Sequence, residues 1–165
     1  MREPISNERD FIVQGSKSPQ DRQLSATENA VGSGRLAGKS RHTARCLCGQ
    51  VTIEVRGELA PPDACHCSQC RRQSGHYWAS SDLLKSNVTI TGEDRITWFQ
   101  ASEKVRRGFC STCGSFLFWE PIGRDKIAVA MGAFDQPTDT RLHLHIFTGD
   151  KGDYYDIADG APQKT

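Results

Sequence analysis

The chain has 165 residues, with 21 lysines and arginines against 20 aspartates and glutamates. This balance excludes a strongly basic or acidic protein, so no overall charge attracts the chain to nucleic acid or to an anionic membrane. No run of about 18 apolar residues is present, and charges occupy the start of the chain, where a signal peptide would be apolar. We therefore expect a cytoplasmic protein without a membrane partner.

Residues 1–40 differ in composition from the rest of the chain. They are rich in serine, glycine, glutamine, asparagine and charged residues. Such a segment buries too little apolar surface to offset the entropy lost on ordering it. We predict a disordered leader over residues 1–40 and one domain over residues 41–165.

The domain opens with Cys46-Leu47-Cys48-Gly49, and a strand pattern follows. In residues 51–56 apolar side chains alternate with polar ones, as a strand with one buried face requires. A pair of closely spaced cysteines followed by glycine is typical of a metal-binding turn, because glycine lets backbone amides approach the sulfurs. The segment therefore predicts half of a metal site beside the first strand.

A second cysteine motif, Cys65-His66-Cys67-Ser68-Gln69-Cys70-Arg71, brings three sulfurs within reach of one ion. Three thiolates on a tetrahedral metal leave the fourth position open, which distinguishes a catalytic zinc from a structural one. The alternative is that these cysteines form disulfides or lie reduced in the core. In an extended segment His66 points away from the neighbouring sulfurs, so we expect it behind the ligands or on the surface.

The rest of the chain shows strand patterns separated by short connections. The predicted strands are residues 88–90, 95–100, 104–109, 116–119, 126–134 and 142–147. The connections after residues 90 and 100 have the length of hairpin turns. Only residues 82–86 suggest a short helix, so we predict a mainly antiparallel β fold.

Seven cysteines, an odd number, suit metal binding better than a disulfide framework in a reducing compartment. Keeping each local motif intact divides them into a closed four-sulfur site and a separate three-sulfur site. The closed site has Cys46, Cys48, Cys110 and Cys113, and the second has Cys65, Cys67 and Cys70. Zinc is favoured because iron–sulfur clusters usually have other spacings, although iron stays open.

Taken together, CLCG, CHCSQCR, FCSTCGSFLFW, LHLHIF and YDIADGAPQ resemble the glutathione-dependent formaldehyde-activating enzyme (GFA) family, which includes centromere protein V. The resemblance covers about residues 43–163. It implies stacked antiparallel β-sheets of the β-tent type with little helix, held by two zinc ions per chain. It also implies that the four-cysteine site is structural and that Cys65, Cys67 and Cys70 hold the catalytic zinc.

The implied activity is that of a carbon–sulfur lyase of the S-(hydroxymethyl)glutathione synthase type, which joins glutathione to formaldehyde. Three thiolates on zinc carry a net charge of about −1, so nearby cations would help an arriving thiolate. Arg71 and Arg72 follow the motif directly. We assign Arg71 to the catalytic site, because a guanidinium can also hold a glutathione carboxylate in bidentate fashion.

Two other functions compete with this hypothesis. One is a zinc-stabilised binding module for chromatin or cytoskeleton, and the other is a protein in which both zincs are structural. Residues 41–165 hold 15 basic and 15 acidic side chains, and only Lys104, Arg106 and Arg107 form a compact basic patch. This distribution makes nucleic acid an improbable partner, since nucleic-acid binders usually show a basic footprint.

Large side chains near these motifs have simpler explanations. We expect Trp78, Phe116 and Trp119 in the hydrophobic core rather than on a substrate wall. His143 and His145 share one face of a predicted strand, and for both we expect a structural or exposed role.

Overall fold

The computed structural model describes residues 40–165, so the predicted leader lies outside the described residues except for Ser40. The strands are β1 (Arg41–Arg45), β2 (Thr52–Arg56), β3 (Asp63–Cys65), β4 (Trp78–Leu84), β5 (Val88–Thr91), β6 (Ile96–Ser102), β7 (Val105–Cys110), β8 (Phe116–Pro121), β9 (Lys126–Ala130), β10 (Leu144–Ile146) and β11 (Gln163–Lys164). The α-helix is α1 (Ser68–Ser74), and the 3-10 helices are Lys85–Asn87, Glu93–Arg95, Met131–Ala133 and Thr148–Asp150. Among residues 40–165, no helix has the length and apolar character needed to cross a membrane.

The strands form two sheets. The small sheet has the order β1-β2-β5 and is antiparallel throughout. The large sheet has the order β11-β10-β3-β4-β9-β8-β7-β6, and its pairs are antiparallel except that β10 runs parallel to both of its neighbours. The predicted fold of mainly β structure, with stacked antiparallel sheets and little helix, is confirmed.

The main hydrophobic core contains side chains from both sheets. On β2 the burial alternates, so that Ile53 and Val55 are buried while their neighbours are exposed. These residues pack in one cluster with Phe118 of β8 and with Ile127 and Val129 of β9. Alternation along each strand therefore joins the sheets face to face.

The opposite face of the large sheet, which we call the outer face, carries a second and smaller core. On β9 the residues between those of the main core, Ala128 and Ala130, belong to this second cluster. They pack with Trp78 of β4 and with Cys70 of α1. The second cysteine motif is thus seated on the outer face of the sheet.

Two sequence predictions about local structure are wrong. No α-helix forms over residues 82–86. Asp82–Leu84 complete β4, where buried Leu83 lies between exposed neighbours with the period of a strand, and Lys85 and Ser86 begin the 3-10 helix that follows. The connection between β5 and β6 is not a hairpin, since these strands belong to different sheets. The hairpin predicted between β6 and β7 is confirmed.

Candidate functional site

Four cysteines meet where a turn of the small sheet faces a turn of the large sheet. Cys46 and Cys48 lie in the β1–β2 connection, Cys110 ends β7, and Cys113 lies in the β7–β8 connection. Their four Sγ atoms lie within 4.8 Å of one another. The distance is 3.4 Å between Cys46 and Cys48 and 3.7 Å between Cys48 and Cys110. This closed cluster links the two sheets.

Hydrogen-bond donors surround the closed cluster. The Val51 N–H donates to Cys46 Sγ at 3.3 Å. The Ser115 hydroxyl lies 3.3 Å from Cys113 Sγ and accepts a hydrogen bond from the Leu47 N–H at 3.0 Å. Hydrogen bonds from the Ser115 side chain and backbone lower the pKa of Cys113 to about 5. Since thiolate is the form that binds metals, these donors favour the metal-binding form of Cys46 and Cys113.

The other three cysteines surround the start of α1. Cys65 is the last residue of β3, Cys67 is the N-cap of α1, and Cys70 lies in the first turn. Cys67 Sγ accepts a hydrogen bond from the Cys70 N–H at 3.5 Å, which caps the helix. The three Sγ atoms lie within 4.8 Å of one another, and no fourth His, Cys, Asp or Glu of residues 40–165 joins this open cluster.

Protonation is unevenly shared within the open cluster. A hydrogen bond with Cys65 lowers the pKa of Cys70 to about 6, and Arg107 acts in the same direction. The same contact raises the pKa of Cys65. Cys70 therefore ionises before Cys65, and a bound metal would favour the thiolate form of its ligands.

Both clusters fit a metal ion that prefers thiolate ligands. Sulfurs bound to zinc at about 2.3 Å in a regular tetrahedron stand about 3.8 Å apart, close to the separations in the closed cluster. A disulfide would need about 2.05 Å, and all seven cysteines are free. The closed cluster offers four ligands, and the open cluster offers three.

A cavity of about 590 Å³ lies over the open cluster on the outer face. The large sheet forms one wall of this cavity. In the strand pairing Cys65 lies opposite Trp78, and Trp119 lies between Ala128 and Arg107. All five residues line the cavity. The two tryptophans were expected in the core alone, yet they also form the cavity wall.

The rim of the cavity combines apolar and acidic side chains. Ile146 and Phe147 contribute apolar surface, and Asp63 and Asp82 contribute carboxylates. Oδ1 of Asp63 is buried and accepts no hydrogen bond. The nearby His143 Nδ1, at 3.4 Å, hydrogen-bonds the Pro62 carbonyl instead at 3.1 Å.

The arginine that contacts the open cluster is Arg107, one of the three residues of the predicted compact basic patch. Arg107 comes from β7, is only 5% exposed, and places Nη1 3.6 Å from Cys70 Sγ. Arg71 Nε donates to the Asp150 carbonyl at 2.9 Å, and neither Arg71 nor Arg72 lines the cavity. The catalytic role of Arg71 stays a prediction that this geometry does not support.

Two buried histidines connect the cysteine motif to the C-terminal segment. His66 Nε2 lies 2.8 Å from His145 Nδ1, and His145 Nε2 lies 2.9 Å from an Asp159 oxygen. Because a carboxylate only accepts, the His145 Nε2–H donates to Asp159. With both imidazoles neutral, the His66 Nε2–H would donate to His145 Nδ1 and the Tyr155 hydroxyl would donate to His66 Nδ1. Burial lowers the pKa of His66, which favours the neutral form of this imidazole.

Both histidines lie in the interior of the protein. His66 is not grouped with the cysteines as a ligand and is fully buried, so the surface alternative is wrong. His145 is 2% exposed and hydrogen-bonded at both ring nitrogens, which is a structural role. Only the long-range pairing of β3 with β10 brings the two rings together, and no local pattern predicts it.

The fold and these sites define a class of protein, namely a mainly β domain with two thiolate clusters, one closed and one facing a cavity. The family model described as "Glutathione-dependent formaldehyde-activating enzyme" matches residues 41–150. The chain therefore belongs to the GFA family, as its motifs indicated.

Similarity to individual proteins covers a shorter part of the chain. Relatives from Aspergillus flavus and Aspergillus oryzae, provisionally named glutathione-dependent formaldehyde-activating enzymes, are each 30% identical over 77 residues, which is 44% of this chain and 40% of theirs. A relative from Fusarium vanettenii with the same provisional name is 31% identical over 78 residues, or 45% and 42% of the two chains. The match thus spans less than half the length of these relatives. The crystal structure of a Rhodobacter sphaeroides protein aligns with a TM-score of 0.49 at 24% identity, over 61% of this chain and 98% of that one.

Proposed function

We propose that this protein is a zinc-dependent carbon–sulfur lyase that makes and breaks thiol–aldehyde adducts. Glutathione and formaldehyde are the proposed substrates, and S-hydroxymethylglutathione is the proposed product. The observation that carries the proposal is the open cluster of three cysteines beneath a cavity, beside a closed cluster of four. The family name and the provisional names of the relatives support the choice of substrates. A cytoplasmic location suits free thiols.

We assign a different role to each cluster. Cys46, Cys48, Cys110 and Cys113 would hold a structural zinc, since four protein ligands leave no position for a substrate. Cys65, Cys67 and Cys70 would hold the catalytic zinc. Bound there, zinc would keep one position free for a thiol and would lower the pKa of that thiol.

The chain itself contributes a shaped and partly apolar setting. A cavity of about 590 Å³ lies within the usual range of about 300–1,000 Å³ for small-molecule sites. Trp78 and Trp119 form walls that exclude water from the reacting groups. The carboxylates of Asp63 and Asp82 at the rim would attract the ammonium group of glutathione.

The proposed reaction balances without a further reactant. The thiol sulfur forms a bond to the aldehyde carbon, the carbonyl π bond breaks, and the oxygen takes up the proton that the thiol has lost. In the reverse direction the carbon–sulfur bond breaks and the proton returns to sulfur. The task of the site is to hold the thiol and the aldehyde in line for this addition.

The test is exchange at equilibrium, because thiols add to formaldehyde rapidly without a catalyst. NMR exchange between free glutathione and its adduct is measured with metal-loaded wild type, with Cys67→Ser, and with Lys126→Ser as an exposed control on β9. We expect acceleration by wild type and by Lys126→Ser, and none by Cys67→Ser. The proposal is wrong if the wild-type protein neither binds glutathione or another small thiol nor speeds the exchange. If that protein also binds DNA or another protein tightly, the binding-module function takes its place.

A further inference from the structure

Arg107 is a buried cation without an acidic partner. Its side chain is 5% exposed, and none of the ion pairs found among residues 40–165 includes it. Its Nε–H also has no hydrogen-bond partner among these residues. A buried guanidinium with neither carboxylate nor full hydrogen bonding is destabilising, so its position needs an explanation other than stability.

Arg106, the neighbour of Arg107, has the acidic partner that Arg107 lacks. Arg106 points to the opposite face of β7, where it pairs with Glu120 at 2.7 Å and lies over the ring of Trp98. Glu120 is also paired with Lys85. The buried carboxylate of Glu120 therefore lies on the opposite face of the sheet, where it cannot pair with Arg107.

The contacts of Arg107 converge on the helix that carries the open cluster. Nη1 lies 3.6 Å from Cys70 Sγ and 3.5 Å from Gln73 Oε1, and Nη2 donates to Gln69 Oε1 at 3.1 Å. These three partners all lie on α1. The negative partner of this arginine is therefore the sulfur cluster itself.

The guanidinium of Arg107 changes the net charge of a metal-bound open cluster. Three thiolates and one divalent metal sum to −1, and one guanidinium in contact with the cluster brings the sum to zero. Opposite charges within about 4–6 Å favour the ionised form of a group strongly, and more so where water is excluded. A neutral assembly can accept a further thiolate with less repulsion than an anionic one.

We propose that Arg107 is the charge-compensating residue of the open cluster, where its guanidinium stabilises the three thiolates of Cys65, Cys67 and Cys70 around a metal. The hydrogen bonds to Gln69 and Gln73 orient the guanidinium, and its positive charge offsets the negative charge of the thiolates. The inference rests on the metal site of the proposed function and not on the proposed reaction.

The test measures metal affinity in the full chain. Zinc-loaded protein is titrated with a chelator, and the more weakly held zinc is followed in wild type, Arg107→Met, Arg107→Lys and the double variant Gln69→Met/Gln73→Met. Arg106→Met is the matched control, since it removes the same charge one residue away on the other face. Cobalt substitution gives a second readout through the thiolate charge-transfer absorption of the open cluster.

We expect Arg107→Met to weaken zinc binding at the open cluster by about 10–100-fold, the usual effect of losing a group that supports metal ligands. Arg107→Lys should recover most of the affinity, because it keeps the charge. The glutamine double variant should lose less than about threefold, and Arg106→Met should leave this affinity unchanged.

Two results would overturn the inference, and a third test applies if Arg107→Met does not fold. The first is an affinity of Arg107→Met within about twofold of wild type. The second is a loss in the glutamine double variant equal to that in Arg107→Met, which would make the arginine a hydrogen-bonding strut. If Arg107→Met does not fold, the zinc affinity of Arg107→Lys decides. An affinity equal to that of wild type supports the inference, and a tenfold loss refutes it. Failure of wild type to bind metal at the open cluster would instead refute the proposed function.

Discussion

Loss of one cysteine from each cluster should have very different effects on stability. The closed cluster joins residues 62 positions apart and links the small sheet to the large sheet. Structural zinc sites of this kind contribute roughly 10–16 kcal/mol of binding energy to folding. A domain of this size has a net stability of about 5–15 kcal/mol. We therefore expect Cys113→Ser to unfold the domain, because the loss is as large as the total.

The matching change in the open cluster is Cys67→Ser. Serine is a favoured N-cap, so its hydroxyl can replace the sulfur that accepts from the Cys70 N–H, and α1 keeps its cap. The three cysteines lie within one local segment, so weaker metal binding there leaves the sheets joined. The melting temperature should fall by only about 3–6 °C for each kcal/mol lost.

The assay is thermal unfolding by circular dichroism together with zinc analysis of each purified variant. Cys67→Ser should melt cooperatively with about one zinc per chain, and Cys113→Ser should show no cooperative transition. Similar melting curves and similar zinc contents for the two variants would refute the division into a structural and a catalytic cluster.

Three further predictions concern composition and local geometry. Elemental analysis of wild type purified without chelator should give about two zincs per chain, and a single metal, or iron, would contradict the two-site assignment. Deletion of residues 1–39, which retains Ser40, should leave zinc content and melting temperature nearly unchanged. Gly92→Ala should lower the melting temperature more than Gly123→Ala does. Both glycines have positive φ, but a Cβ at Gly92 would clash with the Gln50 carbonyl oxygen, whereas Gly123 has open space around it. Equal losses would show that the backbone there yields.

The local cysteine motifs were accessible from the sequence because spacing defines them, and keeping each motif intact then indicated how the seven cysteines divide. A glycine with positive φ follows both Cys48 and Cys113, as expected for the metal-binding turns. Strand alternation likewise predicted β2, where every second side chain is buried. These features depend on neighbours in the chain, which a sequence displays directly.

The role of Arg107 was not accessible in the same way. Arg106 and Arg107 are adjacent and chemically identical, and alternation says only that they face opposite sides of β7. The pairing of β7 with β8 and the position of α1 decide which side carries the cysteines. Helix α1 was missed because seven residues are too short for an apolar period, and its start depends on the Cys67 cap.

The last prediction concerns the attachment of the C-terminal segment. Asp159 accepts hydrogen bonds from His145 Nε2–H and from the Ala161 N–H, which lower the pKa of its carboxyl below the ordinary value. A lowered folded-state pKa means that this link stabilises the fold above the ordinary carboxyl pKa of about 3.9 and is lost as the pH falls through the folded value. We therefore expect residues 151–165 to loosen below about pH 4.

Acid also protonates cysteines and weakens metal binding, so a pH scan alone would not isolate this link. The decisive comparison is made at pH 7 between Asp159→Asn and Asp156→Asn, an exposed carboxylate in the same segment. Asp159→Asn should speed hydrogen exchange in residues 151–165, because an amide replaces the charged acceptor of His145, while Asp156→Asn should not. Equal exchange in both variants would mean that the segment is held by the ring contacts of Tyr155 and not by the carboxylate at the end of the histidine pair.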